Sequence, residues 1–250
     1  MQKIHAVILL TSMCISYFVQ AENSLIIVAE HFPPYQIKGN TGVTGLSIDV
    51  LNAMNTKLSI DESVQIYPWS RAYKMALNIP NTLILGIAKT KERTELFRWV
   101  GILASKDTPA IWTLKENQSQ IEINWDNITQ FRTALPREDS NLKILMDKGL
   151  KINDNLFLVN QFEQVIGMLR KGRIDYIIAG KNTLEYQIIS MGLNKDSFQS
   201  KVINEFPSAP LAIAFSKNSD EELVKRYQEA FQHLAQKGEI EDLTRKWLLE

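Results

Sequence analysis

From residue 25 onward, apolar runs too short for helices alternate with longer segments of helical period, and the alternation occurs in two successive groups. Leu25–Glu30 (LIIVAE) reads as a buried strand, Leu46–Leu58 as a helix with Val50, Leu51, Met54 and Leu58 on one face, and Leu83–Ala88 (LILGIA) as another strand. Between them Pro68 opens a second helix, because its fixed φ suits a first turn. Trp69, Ala72, Tyr73, Ala76 and Leu77 then follow the spacing of one apolar helical face. Strands separated by crossover helices predict parallel pairing.

The second group begins after Pro109. Ala110–Leu114, Arg132–Leu135, Phe157–Val159 and Ile174–Ala179 read as strands, and Ser140–Lys148 as a helix ending at Gly149. Gln161–Lys171 reads as a helix that carries Phe162, Val165, Ile166 and Leu169 inward, with Gly172 as its left-handed stop. Beyond Phe206 and Pro207, Leu211–Phe215 is a further β-run before two C-terminal helices. Their apolar stripes are Leu223, Tyr227, Phe231 and Leu234, then Ile240, Leu243 and Trp247. Two α/β units in succession predict a cleft between lobes, a common place for a small-molecule site.

The N-terminus has a different character. Lys3 supplies a positive start, Ala6–Val19 is largely apolar, and Val19-Gln20-Ala21 fits a signal-peptidase site, so residues 1–21 are expected to be a signal peptide. The stretch is short for a membrane span and contains Thr11, Ser12 and Ser16. Cleavage after Ala21 removes Cys14, the single cysteine, which suits a periplasmic chain that needs no disulfide. With 28 Lys+Arg against 28 Asp+Glu and no long basic run, nothing predicts nucleic-acid binding. His5 leaves with the signal, and His31 and His233 lie far apart in sequence. The chain has no His-Glu-x-x-His helix, Gly-x-Ser-x-Gly elbow, P-loop or Gly-x-Gly-x-x-Gly turn. Neither a metal nor a cofactor is expected.

Glu30-His31-Phe32-Pro33-Pro34-Tyr35, then Gly45 and Asp49-Val50-Leu51, resemble the opening of the family 3 bacterial extracellular solute-binding proteins. Gly86-Ile87-Ala88-Lys89-Thr90-Lys91-Glu92-Arg93 is similar to that family's Gly-x-Thr-x-Thr-x-Glu-Arg segment. Gly172-Arg173-Ile174-Asp175 followed by Tyr186, and the terminal Lys246-Trp247, match in order and spacing. The resemblance implies an α/β, periplasmic-binding-protein-like two-lobed clamp. Each lobe would be a mainly parallel sheet flanked by helices, with lobe one at 22–108 plus 206–250 and lobe two at 109–205. The hinge crossings fall near Ala104–Thr108 and Asn204–Ser208.

The resemblance also assigns candidate ligand contacts. Arg93 occupies the place of an arginine that holds the ligand's carboxylate, and a planar fork of donors suits two oxygens. A helix-terminal Arg paired with Glu92 or Glu95 is the plainer reading. Phe32 and Trp69 match aromatics that flank the ligand, with Tyr35 beside them; core packing is the alternative for Trp69, which lies on an apolar stripe. Gly86 is either a close backbone approach to ligand or a strand bulge. Glu30 ends the first strand, where an acid either faces the cleft or is a solvated loop acid, and Arg71, which lies off the apolar stripe, is a candidate second anion contact. The family's threonine two residues after the glycine is Ala88 here, and its ammonium-holding aspartate is Gly180, departures that favour an anionic or carboxylate-bearing ligand over a zwitterion and leave Glu30 as the group to receive an amine. The second-lobe loop reads Leu135-Pro136-Arg137-Glu138-Asp139-Ser140, in which Arg137 either adds a second positive charge to the cleft or pairs with its acidic neighbours. The expected protein is a monomeric periplasmic binder of a small carboxylate-bearing, amino-acid-like ligand, serving an inner-membrane permease or a sensor. The alternative is a dehydratase-like periplasmic enzyme on the same frame, using acid–base chemistry at Glu30 and His31.

Overall fold

The computed structural model describes residues 24–104, 107–117 and 122–248. The expected signal segment and part of the first expected crossing lie outside them. The first group of elements is β1 (Ile26–Ala29), the short pair β2 (Ile37–Lys38) and β3 (Val43–Thr44), α1 (Leu46–Leu58), β4 (Val64–Ile66), α2 (Trp69–Asn78), β5 (Thr82–Ala88) and β6 (Phe97–Ala104). The second is β7 (Pro109–Leu114), β8 (Thr133–Pro136), α3 (Leu142–Lys148), β9 (Leu156–Val159), α4 (Phe162–Arg170), β10 (Ile177–Gly180), α5 (Lys181–Ser190) and β11 (Phe198–Val202). The chain then returns through β12 (Leu211–Ser216) to α6 (Glu221–Gln236) and α7 (Glu239–Leu248).

One sheet has the order β4-β1-β5-β12-β6 and a second the order β10-β7-β11, with β8-β9 as a separate pair in the second unit. The β1–β5 and β8–β9 pairings are parallel as expected, and β1 is also parallel to β4, a strand not read from the sequence. Four of the five strands of the first sheet run the same way, as expected of a mainly parallel sheet, and one strand in each main sheet runs against its neighbours. β12 runs antiparallel to β5 and β6, and β7 antiparallel to β10 and β11. The reason is where strands meet the cleft. β5 and β10 end there with Ala88 and Gly180, whereas β12 and β7 begin there with Leu211 and Pro109, and these residues are register partners. A strand that starts where its neighbour ends must run the other way.

Helices cover both faces of each main sheet. In the first unit α1, α6 and α7 bury Val50, Leu51, Met54, Tyr227 and Phe231 against Ile27, Leu83, Leu85 and Phe215, while α2 covers the opposite face with Trp69, Ala72 and Ala76. In the second, α4 and α5 pack Val165, Ile166, Leu169, Leu184 and Ile188 on Trp112 and Ile177, and a further cluster around Tyr176, Leu135 and Leu145 fills the other side. Each fully buried large apolar side chain contributes roughly 1.5–3 kcal/mol. These two double-sided cores hold the cleft walls.

Several motif residues prove to be structural ties. Asp49 on α1 accepts hydrogen bonds from Lys246 Nζ (2.7 Å) and Trp247 Nε1 (2.8 Å), which fastens α7 to α1. Asp175 accepts from the backbone N–H of Arg132 (2.8 Å) and from its guanidinium (2.9 and 3.0 Å). Burial pushes the Asp175 carboxyl up, but the hydrogen bonds from Arg132 outweigh it and hold it below its ordinary value. This clamp explains why β10 starts at Ile177 and not at Ile174: the N–H groups of Asp175 and Tyr176 both turn to the Arg132 carbonyl. Likewise α3 starts at Leu142 and not at Ser140, because Asp139 folds into a turn and accepts the Asn141 N–H through its side chain (2.7 Å).

Candidate ligand-binding cleft

A cavity of about 1000 Å³ opens between the two units at the strand ends described above. From the first unit, β1 delivers Glu30 and the following loop delivers Phe32 and Tyr35, whose rings stack with centroids 5.7 Å apart. That loop is seated on the start of α1, where the N–H groups of Leu46 and Ser47 donate to the carbonyls of Pro34 and Tyr35. Trp69 enters as the first residue of α2 and Tyr73 lies one turn on, their rings 5.5 Å apart. Gly86 is skipped by the β5–β12 register between Leu85 and Ile87, so it is a bulge, and its φ of 69° is the left-handed region. It also lines the cavity, and a Cβ there would lie 2.6 Å from the Gln36 side-chain nitrogen. Gly86 is thus a strand bulge that lies at the cavity wall.

Arg93 projects from the turn after β5 and is only 6% exposed. Its guanidinium lies 4.8 Å from the centre of the Tyr73 ring and 5.4 Å from that of Trp69. Nη2 donates to the backbone carbonyl of Glu138 in the opposite unit (2.9 Å), and Nη1 lies 3.4 Å from the Ala88 carbonyl. Trp69 Nε1 donates to the same Glu138 carbonyl (3.0 Å). Glu138 has φ 63°, a conformation costly for a non-glycine residue, and its carboxylate faces Lys74 at 3.6 Å. Two further contacts join the units beside the cavity: Phe32 meets Phe162 edge-on at 6.3 Å, and His31 Nε2 lies 3.5 Å from Glu163.

Thus the structure places Glu30, Phe32, Tyr35, Trp69, Gly86 and Arg93 together on one cavity wall. It does not bring Arg71 or Arg137 to that wall. Arg71 is exposed and lies over the Tyr67 ring at 4.1 Å, because its helical position turns it away from the stripe that carries Trp69. Arg137 is exposed and held by its backbone N–H to the Val159 carbonyl (2.9 Å). Sequence reasoning missed Tyr73, Asp107, Asp139 and Phe162 as lining residues. Tyr73 was accessible in principle, since it sits one helical turn beyond Trp69; Asp107 carried no local signal. Among the described residues no group of three or more His, Cys, Asp or Glu is arranged to hold a metal ion.

Burial pushes the Glu30 carboxyl well above its ordinary value, the neighbouring Asp139 and Glu163 carboxylates add to this, and Arg93 opposes it. Burial also raises Asp139, against the Asn141 N–H and Arg93. An acid with a raised folded-state pKa binds more protons folded than unfolded, so stability falls as pH rises through the window above the ordinary value. Glu30→Gln is therefore expected to be more stable than the wild type at neutral pH, with an advantage that disappears as pH falls toward 4.5. Thermal unfolding of both proteins from about pH 4 to about pH 8 measures this. A constant difference between them would show that folding does not raise the Glu30 carboxyl.

A family model described as bacterial extracellular solute-binding proteins, family 3, matches residues 25–250. The chain belongs to this family. It is a family of binding proteins rather than enzymes, and the dehydratase-like alternative is set aside. Solved structures share the fold at low identity. The substrate-binding protein of an amino acid ABC transporter superimposes with a TM-score of 0.76 at 17% identity, covering 91% of this chain and 100% of its own. A histidine kinase sensor domain similar to periplasmic binding proteins gives 0.77 at 18% identity, with 90% and 96% covered. An ABC uptake transporter substrate-binding protein from Streptococcus pneumoniae, with bound histidine, gives 0.75 at 20%, with 91% and 93% covered. No curated protein sequence matches significantly. No described helix of this family 3 protein is long and apolar enough to cross a membrane.

Proposed function

We propose that the protein is exported by its N-terminal signal peptide to the periplasm and captures a small carboxylate-bearing, amino-acid-like ligand as a monomer. Capture occurs by closure of lobe one (22–108 plus 206–250) on lobe two (109–205), about crossings near Ala104–Thr108 and Asn204–Ser208. Arg93 takes the carboxylate, Phe32, Tyr35 and Trp69 form the aromatic wall, and Gly86 and Glu30 complete the near side. The observation that carries this reading is the environment of Arg93. A buried guanidinium flanked by two rings already holds an oxygen acceptor from the opposite unit, the Glu138 carbonyl at 2.9 Å. A ligand carboxylate satisfies the same donors with a full charge, and such charge-assisted bonds are roughly twice as strong as neutral ones. The neighbouring structures include both a transporter component and a kinase sensor domain, so the captured ligand is passed to a permease or reported to a sensor.

A thermal-shift screen of amino acids, organic acids and short peptides tests this, because a ligand that binds the folded state must raise its stability. X-ray scattering with a hit should then show compaction at unchanged helix content, since rigid lobes close without internal change. Identical scattering profiles with and without a tight ligand would count against the clamp.

A further inference from the structure

We propose that the Asp107 carboxylate is the cation anchor of this cleft, so that the ligand presents an amine to Asp107 and its carboxylate to Arg93; this rests on the binding reading above. Gly180 ends β10 and precedes α5 with φ −59° and ψ 140°, a backbone conformation open to any residue. Glycine is required there for a different reason. A Cβ at position 180 would lie 2.2 Å from Asp107 Oδ2, 2.5 Å from its Cγ and 2.7 Å from its Cβ. The space that a side chain from position 180 would fill is taken by a carboxylate arriving from the segment that leads into β7.

That carboxylate is held rigidly. Oδ1 accepts the Asn182 N–H (3.1 Å) and Oδ2 the Thr183 N–H (2.8 Å) at the start of α5. The Asp107 carbonyl accepts from Ser208 Oγ (2.9 Å), which ties it to the returning segment as well. Each carboxylate oxygen keeps acceptor capacity beyond its one N–H. Among the described residues no lysine, arginine or histidine pairs with it, and Asp107, Gly180 and Thr183 all line the cavity that Arg93 lines. A fixed, partly buried carboxylate without a cation, sharing a cavity with a buried guanidinium, matches a ligand that carries both signs of charge.

The test titrates common α-amino acids against their deamino counterparts by calorimetry, for example phenylalanine with phenylpropionate and glutamate with glutarate. Wild type, Asp107→Asn and Gly180→Ala are compared. Asn keeps an oxygen for the α5 N–H groups but removes the charge, while a methyl at 180 displaces the carboxylate and leaves the charge count intact. The wild type is expected to prefer the amino member of the tightest pair, and both variants to lose about 30-fold or more of that preference. A preference preserved in both variants, with or without a lowered melting temperature, would make Asp107 a helix cap alone and overturn the proposal while leaving the binding reading in place. A wild type that binds the deamino acid equally well would also overturn it. If no acid of either kind binds, the binding reading falls and this proposal with it.

Discussion

Arg93→Ala is expected to lower ligand affinity by at least about 30-fold, because truncating one partner of a buried, hydrogen-bonded charge pair costs about 2–5 kcal/mol. The side chain does three things at once. It offers donors to an oxygen acceptor in the cavity, it stacks with Trp69 and Tyr73, and it is the cation that opposes the raised pKa of both Glu30 and Asp139. Removing it leaves two carboxyl groups without that compensation, so the variant should bind additional protons near neutrality. Arg93→Lys should recover only part of the affinity, since a point charge does not reproduce a planar fork of donors. Calorimetric titration of the three proteins with a ligand found by the thermal-shift screen gives the comparison. Full affinity in Arg93→Ala would remove the anchor role from this residue.

Gly45→Ala should produce the largest loss of stability from a single methyl group. Gly45 precedes α1 with φ 123° and ψ 172°, a region essentially closed to other residues. An added Cβ would lie 2.4 Å from the Tyr35 carbonyl oxygen, 2.7 Å from its carbon and 2.8 Å from the Pro34 oxygen. These are backbone atoms, held by the N–H groups of Leu46 and Ser47, and no side-chain rotation relieves the clash. Strain and overpacking together should cost about 3 kcal/mol or more, which lowers the melting temperature by roughly 6–12 °C. The displaced loop carries Phe32 and Tyr35, so ligand affinity should fall as well. Thermal unfolding monitored by circular dichroism reads the first effect; a loss below about 1 kcal/mol would show that the loop shifts freely.

Much of the local structure follows from short-range patterns. The helix Leu46–Leu58 has the expected bounds, and it closes at Ser59 in the left-handed conformation. Pro68 stands at the cap of α2 with φ −56°, and Gly149 and Gly172 have the positive φ that stops their helices. The strands β4, β6 and β11, by contrast, escaped the reading, although all three are hydrogen-bonded in the main sheets. Phe97–Ala104 buries Phe97, Val100, Leu103 and Ala104 at uneven spacing, so no clean period marks it. Its pairing with β12 shifts register twice, which is why the pattern slips.

What the sequence by itself determined was whatever depends on neighbours in the chain: the α/β alternation and the caps and stops, whereas the grouping of Glu30, Phe32, Tyr35, Trp69, Gly86 and Arg93 was expected from the resemblance to family 3 and not from a local pattern. Periodicity and turn chemistry act over a few residues, so they are written in consecutive letters. Tertiary structure alone decided which strands run against their neighbours, that Arg71 and Arg137 do not line the cavity, and that Asp107 fills the space beside Gly180. Those outcomes depend on atoms brought together across the fold, as with Asp107 and Thr183, 76 positions apart in the chain. Their positions are fixed by the packing of two separate cores, which no local pattern encodes.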